Sequence, residues 1–108
     1  MRKPLVRLLK LNGLQYNANR DPQAYRRPVG EAFRLQALLD GVGNARCTLS
    51  DEGGNALAAQ SVARPGTFTA ELKFEHPGSR LVTLRVEDGD ESYLRTLRLD
   101  VLEPEPRH

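Results

Sequence analysis

Two Pro-Gly dipeptides, Pro65-Gly66 and Pro77-Gly78, each stand shortly before a run in which apolar and polar residues alternate. The first run covers residues 67–74 (TFTAELKF) and the second covers residues 81–86 (LVTLRV). Pro-Gly favours a tight turn, and alternation with a period of two is typical of a strand with one buried face. The pattern therefore predicts a series of turns and antiparallel strands, and it constrains the fold class more than any other feature of the chain.

The same alternation recurs along the rest of the chain. The predicted strands are residues 5–11, 31–39, 45–50, 56–62, 67–74, 80–87 and 92–102. Glycines at Asp40-Gly41 and Gly53-Gly54 indicate turns between them. A short amphipathic helix is the alternative for residues 5–11, because three of its leucines fall at helical spacing. We predict an all-β fold, an immunoglobulin-like antiparallel β-sandwich of about seven strands, with residues 5–11 at a sheet edge.

A chain of 108 residues is expected to form one domain. We assign that domain to residues 1–102, with a long basic connection at residues 12–30 that is rich in glycine, proline and asparagine. Residues 103–108 form a proline-containing tail that cannot continue a strand. The chain has no tryptophan, so leucine, valine and three phenylalanines must build the core. Cys47 is the only cysteine, and its register predicts a buried structural thiol.

Basic residues are concentrated at the start of the chain. Residues 1–34 carry a net charge of +6, against −4 for the remainder. The candidate binding residues are Arg20, Tyr25, Arg26 and Arg27. Arginines beside an aromatic ring can bind phosphate and stack on bases, and they can equally contact an acidic protein. The alternative is a solvated loop in which Tyr25 covers one end of the sandwich.

Carboxylates are concentrated in the predicted turn after residue 86. Glu87, Asp88, Asp90 and Glu91 put four acidic side chains within five positions. Calcium binds such oxygens, and loops at the end of a sandwich can supply them. The spacing is not that of an EF-hand, and we favour a solvated hairpin turn with Gly89 at positive φ.

No arrangement of residues indicates catalysis or a cofactor. The two histidines are His76, in a predicted turn, and His108, the terminal residue. The sequence contains no nucleophile-elbow motif, no pair of metal ligands at a recognised zinc spacing and no glycine-rich loop between a strand and a helix. We therefore expect a protein that is not an enzyme and that binds no cofactor.

The run from Phe74 to Gly89, with its Pro-Gly turn, alternating strand and acidic hairpin, resembles the closing half of a PKD-like or bacterial immunoglobulin-like domain. The resemblance covers roughly residues 45–102. The Trp-Asp-Phe-Gly-Asp-Gly motif of PKD domains is absent, and residues 48–53 read TLSDEG. The resemblance implies a β-sandwich that serves as a binding, spacer or assembly module.

The sequence thus indicates a non-catalytic protein-interaction or accessory module of a larger assembly or of a multi-domain surface protein. The expected partner is another protein, or a second copy joined through an edge strand. Binding of a polyanion or nucleic acid through the basic N-terminal third is the alternative. No stretch approaches the ~18 apolar residues of a membrane span. Arg7 and Lys10 interrupt the apolar start, so we expect no export signal in the chain as given. This leaves the cytoplasm or an exported multi-domain protein as possible locations.

Overall fold

The computed structural model describes residues 4–17 and 25–103, and their regular structure consists of β-strands. The all-β prediction is therefore confirmed. No helix in these two ranges is long and apolar enough to cross a membrane. The strands are β1 (Val6–Leu11), β2 (Leu14–Gln15), β3 (Arg27–Pro28), β4 (Phe33–Ser50), β5 (Ala56–Leu72), β6 (Gly78–Asp88) and β7 (Glu91–Leu102).

The strands form one curled sheet, a half-barrel, rather than the clear two-sheet sandwich that was predicted. The order is β2-β1-β4-β6-β7-β3, with β5 paired to β4. The first half of β4 lies between β1 and β5, and its second half lies between β6 and β5. β3 runs parallel to β7, so the sheet is mixed and not purely antiparallel.

Two of the predicted turns lie inside strands. The predicted strands 31–39 and 45–50 are one strand, β4, and the predicted strands 56–62 and 67–74 are one strand, β5. Pairing passes from Leu39 opposite Gly66 to Gly43 opposite Arg64, so β4 has two extra residues at this point. Such a bulge bends a strand without ending it. The turns predicted at Asp40-Gly41 and Pro65-Gly66 are therefore wrong, and both dipeptides lie at the bend of the β4–β5 hairpin.

The other predicted turns are confirmed. β6 begins at Gly78, directly after Pro77. Gly54 and Gly89 have φ of +84° and +58° in the β4–β5 and β6–β7 turns. Asp51 Oδ1 accepts hydrogen bonds from the backbone N–H of Gly53 and of Asn55, each at 2.9 Å, and this bonding closes the β4–β5 turn.

The alternation of apolar residues correctly predicted most of the core. The buried residues at predicted inward positions are Phe33, Leu35, Ala37, Leu39, Ala45, Cys47, Leu49, Phe68, Ala70, Leu72, Val82, Leu84, Val86, Leu97, Leu99 and Val101. Phe74 and Tyr93 fall on the same alternation as the buried residues of their predicted strands, but they are only partly buried and pack against the core. The Phe33 and Phe74 rings meet edge to face, with centroids 5.8 Å apart. Cys47 is fully buried, as predicted.

The first strand departs from simple alternation at one residue. Residues 6–11 form β1, so the helical alternative is wrong. The register shifts between Val6 and Leu8, and this bulge leaves Arg7 exposed while Leu9 and Leu11 are buried. β2 pairs with Lys10 and Leu11 only, so the earlier part of β1 lies at a sheet edge.

Candidate functional site

Tyr25, a predicted binding residue, lies in the core. Its side chain is 4% exposed, and its hydroxyl donates a hydrogen bond to the carbonyl oxygen of Gln15 at 2.7 Å. The same hydroxyl accepts one from the backbone N–H of Asn17 at 3.0 Å. Tyr25 therefore joins the basic connection to the sheet and presents no open ring face to a ligand. Arg20 lies outside the described residues.

Arg26 lies beside an acidic residue of β7, and Arg27 contacts the backbone of Arg26. Arg26 Nε is 4.0 Å from Asp100 Oδ2, and Arg98 Nε is 3.0 Å from the other oxygen of that carboxylate. Arg27 donates a hydrogen bond to the carbonyl oxygen of Arg26 at 2.7 Å. Both residues are partly exposed. Their role in binding a partner or an anion stays a prediction, but the structure does not combine them with Tyr25 into a stacking site.

The acidic turn contacts a buried arginine. Arg64 lies at the bend of β5 with 3% of its side chain exposed. Its guanidinium is 2.8 Å from Asp88 Oδ2 and 3.3 Å from Glu91 Oε2, and its Nε donates to the carbonyl oxygen of Asp40 at 2.6 Å. The hydrogen bond with Asp88 is the largest reason that the pKa of Arg64 lies above its usual value. The positive charge of Arg64 is thus neutralised by carboxylates of the turn that was considered as a calcium site.

The carboxylates that were considered as calcium ligands are not gathered into one site. Asp88 pairs with Arg64, Glu87 is exposed with its Oε1 3.9 Å from Arg85 Nε, and Asp90 is exposed. Within residues 4–17 and 25–103, no group of three or more acidic, histidine or cysteine side chains is arranged to hold a metal ion. The turn has a structural role, because its carboxylates neutralise the charge of Arg64 at the bend of β5.

The longest open edge of the sheet belongs to β5. Among the described residues, β5 pairs only with β4, so its other side carries no strand along Ala56–Leu72. Residues 56–63 read ALAAQSVA and contain no charged side chain. Six of these eight residues are exposed, and Leu57 is 38% exposed. The part of β5 beyond Pro65 differs, because it carries the exposed Glu71.

Natural proteins usually protect such edges. Lysines, prolines, bulges and short strands prevent an edge from pairing with another chain. Residues 58–63 have none of these devices before the bend at Arg64 and Pro65. The register shift opposite Leu49 and Ser50 places one bulge at Leu57, near the start of the segment. This edge of β5 is therefore competent to accept a further strand, and we call it the β5 edge, meaning residues 56–63 throughout.

A groove of about 220 Å³ lies between β1 and β7. Arg7, Tyr16, Tyr93 and Arg95 contribute to its lining, together with the strand residues Val6–Leu9. Among the described strands, two edges without a partner border it, because β2 pairs only with the end of β1 and β3 pairs only with the last two residues of β7. We call it the β1–β7 groove.

Tyr16 links the two sides of the β1–β7 groove. Its N–H donates to the carbonyl oxygen of Leu9 in β1 at 2.7 Å, and its hydroxyl accepts from the N–H of Arg98 in β7 at 3.3 Å. Its ring packs against Tyr25, with centroids 5.3 Å apart, and the guanidinium of Arg95 lies 5.4 Å from its centroid. Arg95 is therefore held in place by a cation–π contact.

The sequence did not indicate the importance of Arg64, the β5 edge or the β1–β7 groove. The sequence did indicate that Arg64 faces inward. Arg64 is an even number of positions from the buried residues Val62 and Phe68, so alternation places the three side chains on one face. The absence of charge from residues 56–63 was also visible. The groove had no local signal, because it joins residues from the two ends of the chain.

A scan of the sequence against models of protein families gives no match, and a search of curated proteins gives no relative.

Proposed function

We propose that this chain is a non-catalytic protein-interaction module of a larger assembly, and that it makes its contact by adding a strand to the β5 edge. The observation that supports this proposal is the eight-residue, uncharged and exposed edge at residues 56–63. Strand addition uses backbone hydrogen bonds for affinity and the alternate side chains for specificity.

A second copy of the chain is the partner that the chemistry of the β5 edge fits best. If two β5 edges pair antiparallel about a two-fold axis, every residue of the segment faces an uncharged residue of the same segment. Like charges directly opposite each other, which destabilise a pair of strands, do not occur. Small side chains such as Ala59 and Ser61 also leave the neighbouring backbone accessible.

The expected contact is small. Eight residues extend over roughly 26 Å, at about 3.3 Å per residue. Edge pairing of this length buries less than the ~1,200 Å² that marks the lower end of stable interfaces. We therefore expect a weak dimer that forms at micromolar to millimolar concentrations, or one that is strengthened when the module is repeated or tethered.

Sedimentation analysis over a wide concentration range tests the proposal. We expect the wild-type chain to pass from monomer to dimer as its concentration rises. Ala59→Lys combined with Ser61→Lys introduces like charges on the β5 edge and should keep the chain monomeric. Thr67→Lys combined with Thr69→Lys is the matched control, because it places the same two charges on exposed residues of the same strand beyond the bend. Circular dichroism and thermal unfolding establish that each variant is folded.

A wild-type chain that remains monomeric at ~1 mM contradicts self-pairing. Equal dimerisation of the wild type and the variant with Ala59→Lys and Ser61→Lys places any dimer contact elsewhere and contradicts the use of the β5 edge.

The absence of catalysis is part of the same proposal. Cys47, the one cysteine, is fully buried, and burial raises the pKa of its thiol to about 11, so it is a poor nucleophile. His76 is exposed in the turn before β6, and its ring has no carboxylate or hydroxyl partner among the described residues. These observations favour a binding module over an enzyme.

A relationship to immunoglobulin-like and PKD-like domains is a further part of the proposal. It is supported by the all-β fold and by the resemblance of residues 74–89, whose Pro-Gly turn, alternating strand and hairpin do follow one another as β6 and the turn after it. Such domains commonly act as assembly modules, which agrees with a function carried by an exposed edge.

A further inference from the structure

We infer that the β1–β7 groove binds an extended acidic segment of a partner protein. The groove lies apart from the β5 edge and carries a different chemistry, so this inference goes beyond the proposed function and does not depend on it.

The charge of the groove identifies the chemistry of its ligand. Arg7 and Arg95 both line it and are exposed, and neither forms an ion pair with any described residue. No acidic side chain of the described chain lines the groove. Two unpaired guanidinium groups can bind a carboxylate through charge-assisted hydrogen bonds.

Arg95 is positioned for binding before a ligand arrives. Its guanidinium lies over the Tyr16 ring, and that ring is itself fixed by Tyr25 and by the hydrogen bond from Arg98. A stacked guanidinium keeps its N–H groups available at its edges, so the cation–π contact orients Arg95 and leaves its donors for a carboxylate. Less side-chain entropy is then lost on binding.

The walls of the groove indicate that the ligand backbone is extended. Within residues 4–17 and 25–103, the start of β1 has no strand on its outer side, because β2 pairs only with Lys10 and Leu11. In the same part of the chain, no strand pairs with the outer side of the start of β7, because β3 pairs only with Val101 and Leu102. An extended peptide between them can pair with open backbone groups and place an acidic side chain between Arg7 and Arg95.

One observation favours a peptide over a small molecule, and a second favours a peptide over a nucleic acid. The groove of about 220 Å³ is smaller than the usual ~300–1,000 Å³ of a small-molecule site, and it suits one or two side chains. The Tyr16 ring already contacts Tyr25 and Arg95, so it is not an open platform for a base. Nucleic-acid stacking needs such a platform.

The test is an NMR titration with an eight-residue peptide of alternating threonine and glutamate, with its ends blocked. The control peptide has glutamine in place of glutamate. We expect the glutamate peptide to shift the amide signals of Val6–Leu9, Tyr93 and Arg95, and to bind about tenfold or more tightly than the glutamine peptide.

Substitutions separate this groove from other basic surfaces. Arg7→Ala should weaken binding of the glutamate peptide by about tenfold or more, and Arg7 is an exposed residue at a bulge, so the fold should tolerate its loss. Arg95→Ala should weaken binding similarly, and Arg95→Lys should restore part of the affinity. Arg46→Ala, an exposed arginine that does not line the groove, is the matched control and should leave binding within about twofold.

Three results would overturn the inference. The first is no shift with the glutamate peptide at ~5 mM, and the second is equal affinity for the glutamine peptide. The third is tighter binding of a single-stranded oligothymidylate whose affinity depends on Arg26 and Arg27 and not on Arg7 and Arg95. None of these results bears on the β5 edge, which is tested by the monomer–dimer equilibrium alone.

Discussion

Arg64 and Asp88 are 24 positions apart in the sequence, and their side chains meet at 2.8 Å between NH1 and Oδ2. This ion pair connects the bend of β5 to the end of β6. It lies where an otherwise apolar inner face must accommodate a bulge with two positive-φ glycines, Gly41 and Gly43. Three separate segments of the chain therefore meet at one buried guanidinium.

Removal of the carboxylate of Asp88 should destabilise the fold. In Asp88→Ala, Arg64 retains Glu91 and the carbonyl oxygen of Asp40 but loses its shortest ionic contact. We expect the free energy of unfolding to fall by about 1–3 kcal/mol, below the full cost of breaking a buried pair because Asp88 is about a quarter exposed. Urea denaturation measures the difference. Glu87→Ala, in the same turn, is the control and should cost less than about 0.5 kcal/mol; equal losses would contradict the role of Asp88.

Gly41 should be intolerant of a side chain because of Arg64. A Cβ at Gly41 would lie 2.5 Å from Arg64 NH2, whereas a Cβ at Gly30 would have no neighbour within 4 Å. Their φ values are nearly equal, at +90° and +86°, so backbone strain is matched. We expect Gly41→Ala to lower the free energy of unfolding by at least about 1 kcal/mol more than Gly30→Ala.

A double-mutant cycle identifies the cause of that difference. In an Arg64→Ala background the extra cost of Gly41→Ala should shrink markedly, because the contacting atom is gone. An unchanged cost in that background would show that the guanidinium is not responsible.

Cys47 should be unreactive in the native protein. Burial raises the pKa of its thiol from 9.0 to about 11, so little thiolate forms at neutral pH, and the sulfur has no access to solvent. We expect Ellman's reagent at pH 8 to modify the folded chain at least roughly 100-fold more slowly than the chain in denaturant. The unfolded chain is the internal control, and rapid modification of the folded chain would contradict the buried position.

The β4–β5 turn should weaken in acid. The backbone N–H of Asn55 is the largest cause of the lowered pKa of Asp51, and the N–H of Gly53 contributes to it. A carboxyl group with a lowered folded-state pKa stabilises the fold above its usual value of 3.8, and this contribution is lost as the pH falls through the folded-state pKa. We expect a carboxyl NMR titration of Asp51 to give a midpoint below 3.8. The stability of Asp51→Asn should depend less steeply on pH between 5 and 2, and a midpoint at or above 3.8 would contradict the turn geometry.

Local periodicity was sufficient to predict much of the core. Val82, Leu84 and Val86 alternate with polar residues, and so do Leu97, Leu99 and Val101. Alternation with a period of two determines which side chains of a strand share a face, and this does not depend on the partner strand. The buried sets of β6 and β7 were therefore predictable from residue order alone.

Strand continuity was not predictable from the same local signals. Gly41 and Pro65-Gly66 have the residue types of turns, and nothing within either segment shows that the two lie opposite each other. Pairing of Leu39 with Gly66 and of Gly43 with Arg64 carries the ladder across the bend. Whether such a segment ends a strand or bends it depends on the partner strand, which is a tertiary property.

The candidate sites were also only partly predictable from the sequence. The uncharged character of residues 56–63 can be read from the sequence. Its importance depends on the pairing of β5, which among the described strands has a partner on one side only. Tyr16 and Arg98 are 82 positions apart, and only the curl of the sheet brings these two residues together at one groove. The basic residues near Tyr25 were conspicuous in sequence, yet the ring among them is used to hold the chain together.

The bent hairpin of β4 and β5 also determines how the molecule can come apart. One half of the half-barrel is where β4 pairs with β1, and the other half is where β4 pairs with β6. Both β4 and β5 run through both halves, so the two halves share this hairpin. In a domain made of two sheets that share no strand, one sheet could unfold while the other stays folded. Here, unfolding of either half would disrupt β4 and β5, which the other half also needs for its strand pairing. The molecule should therefore unfold under heat or mechanical load as one unit.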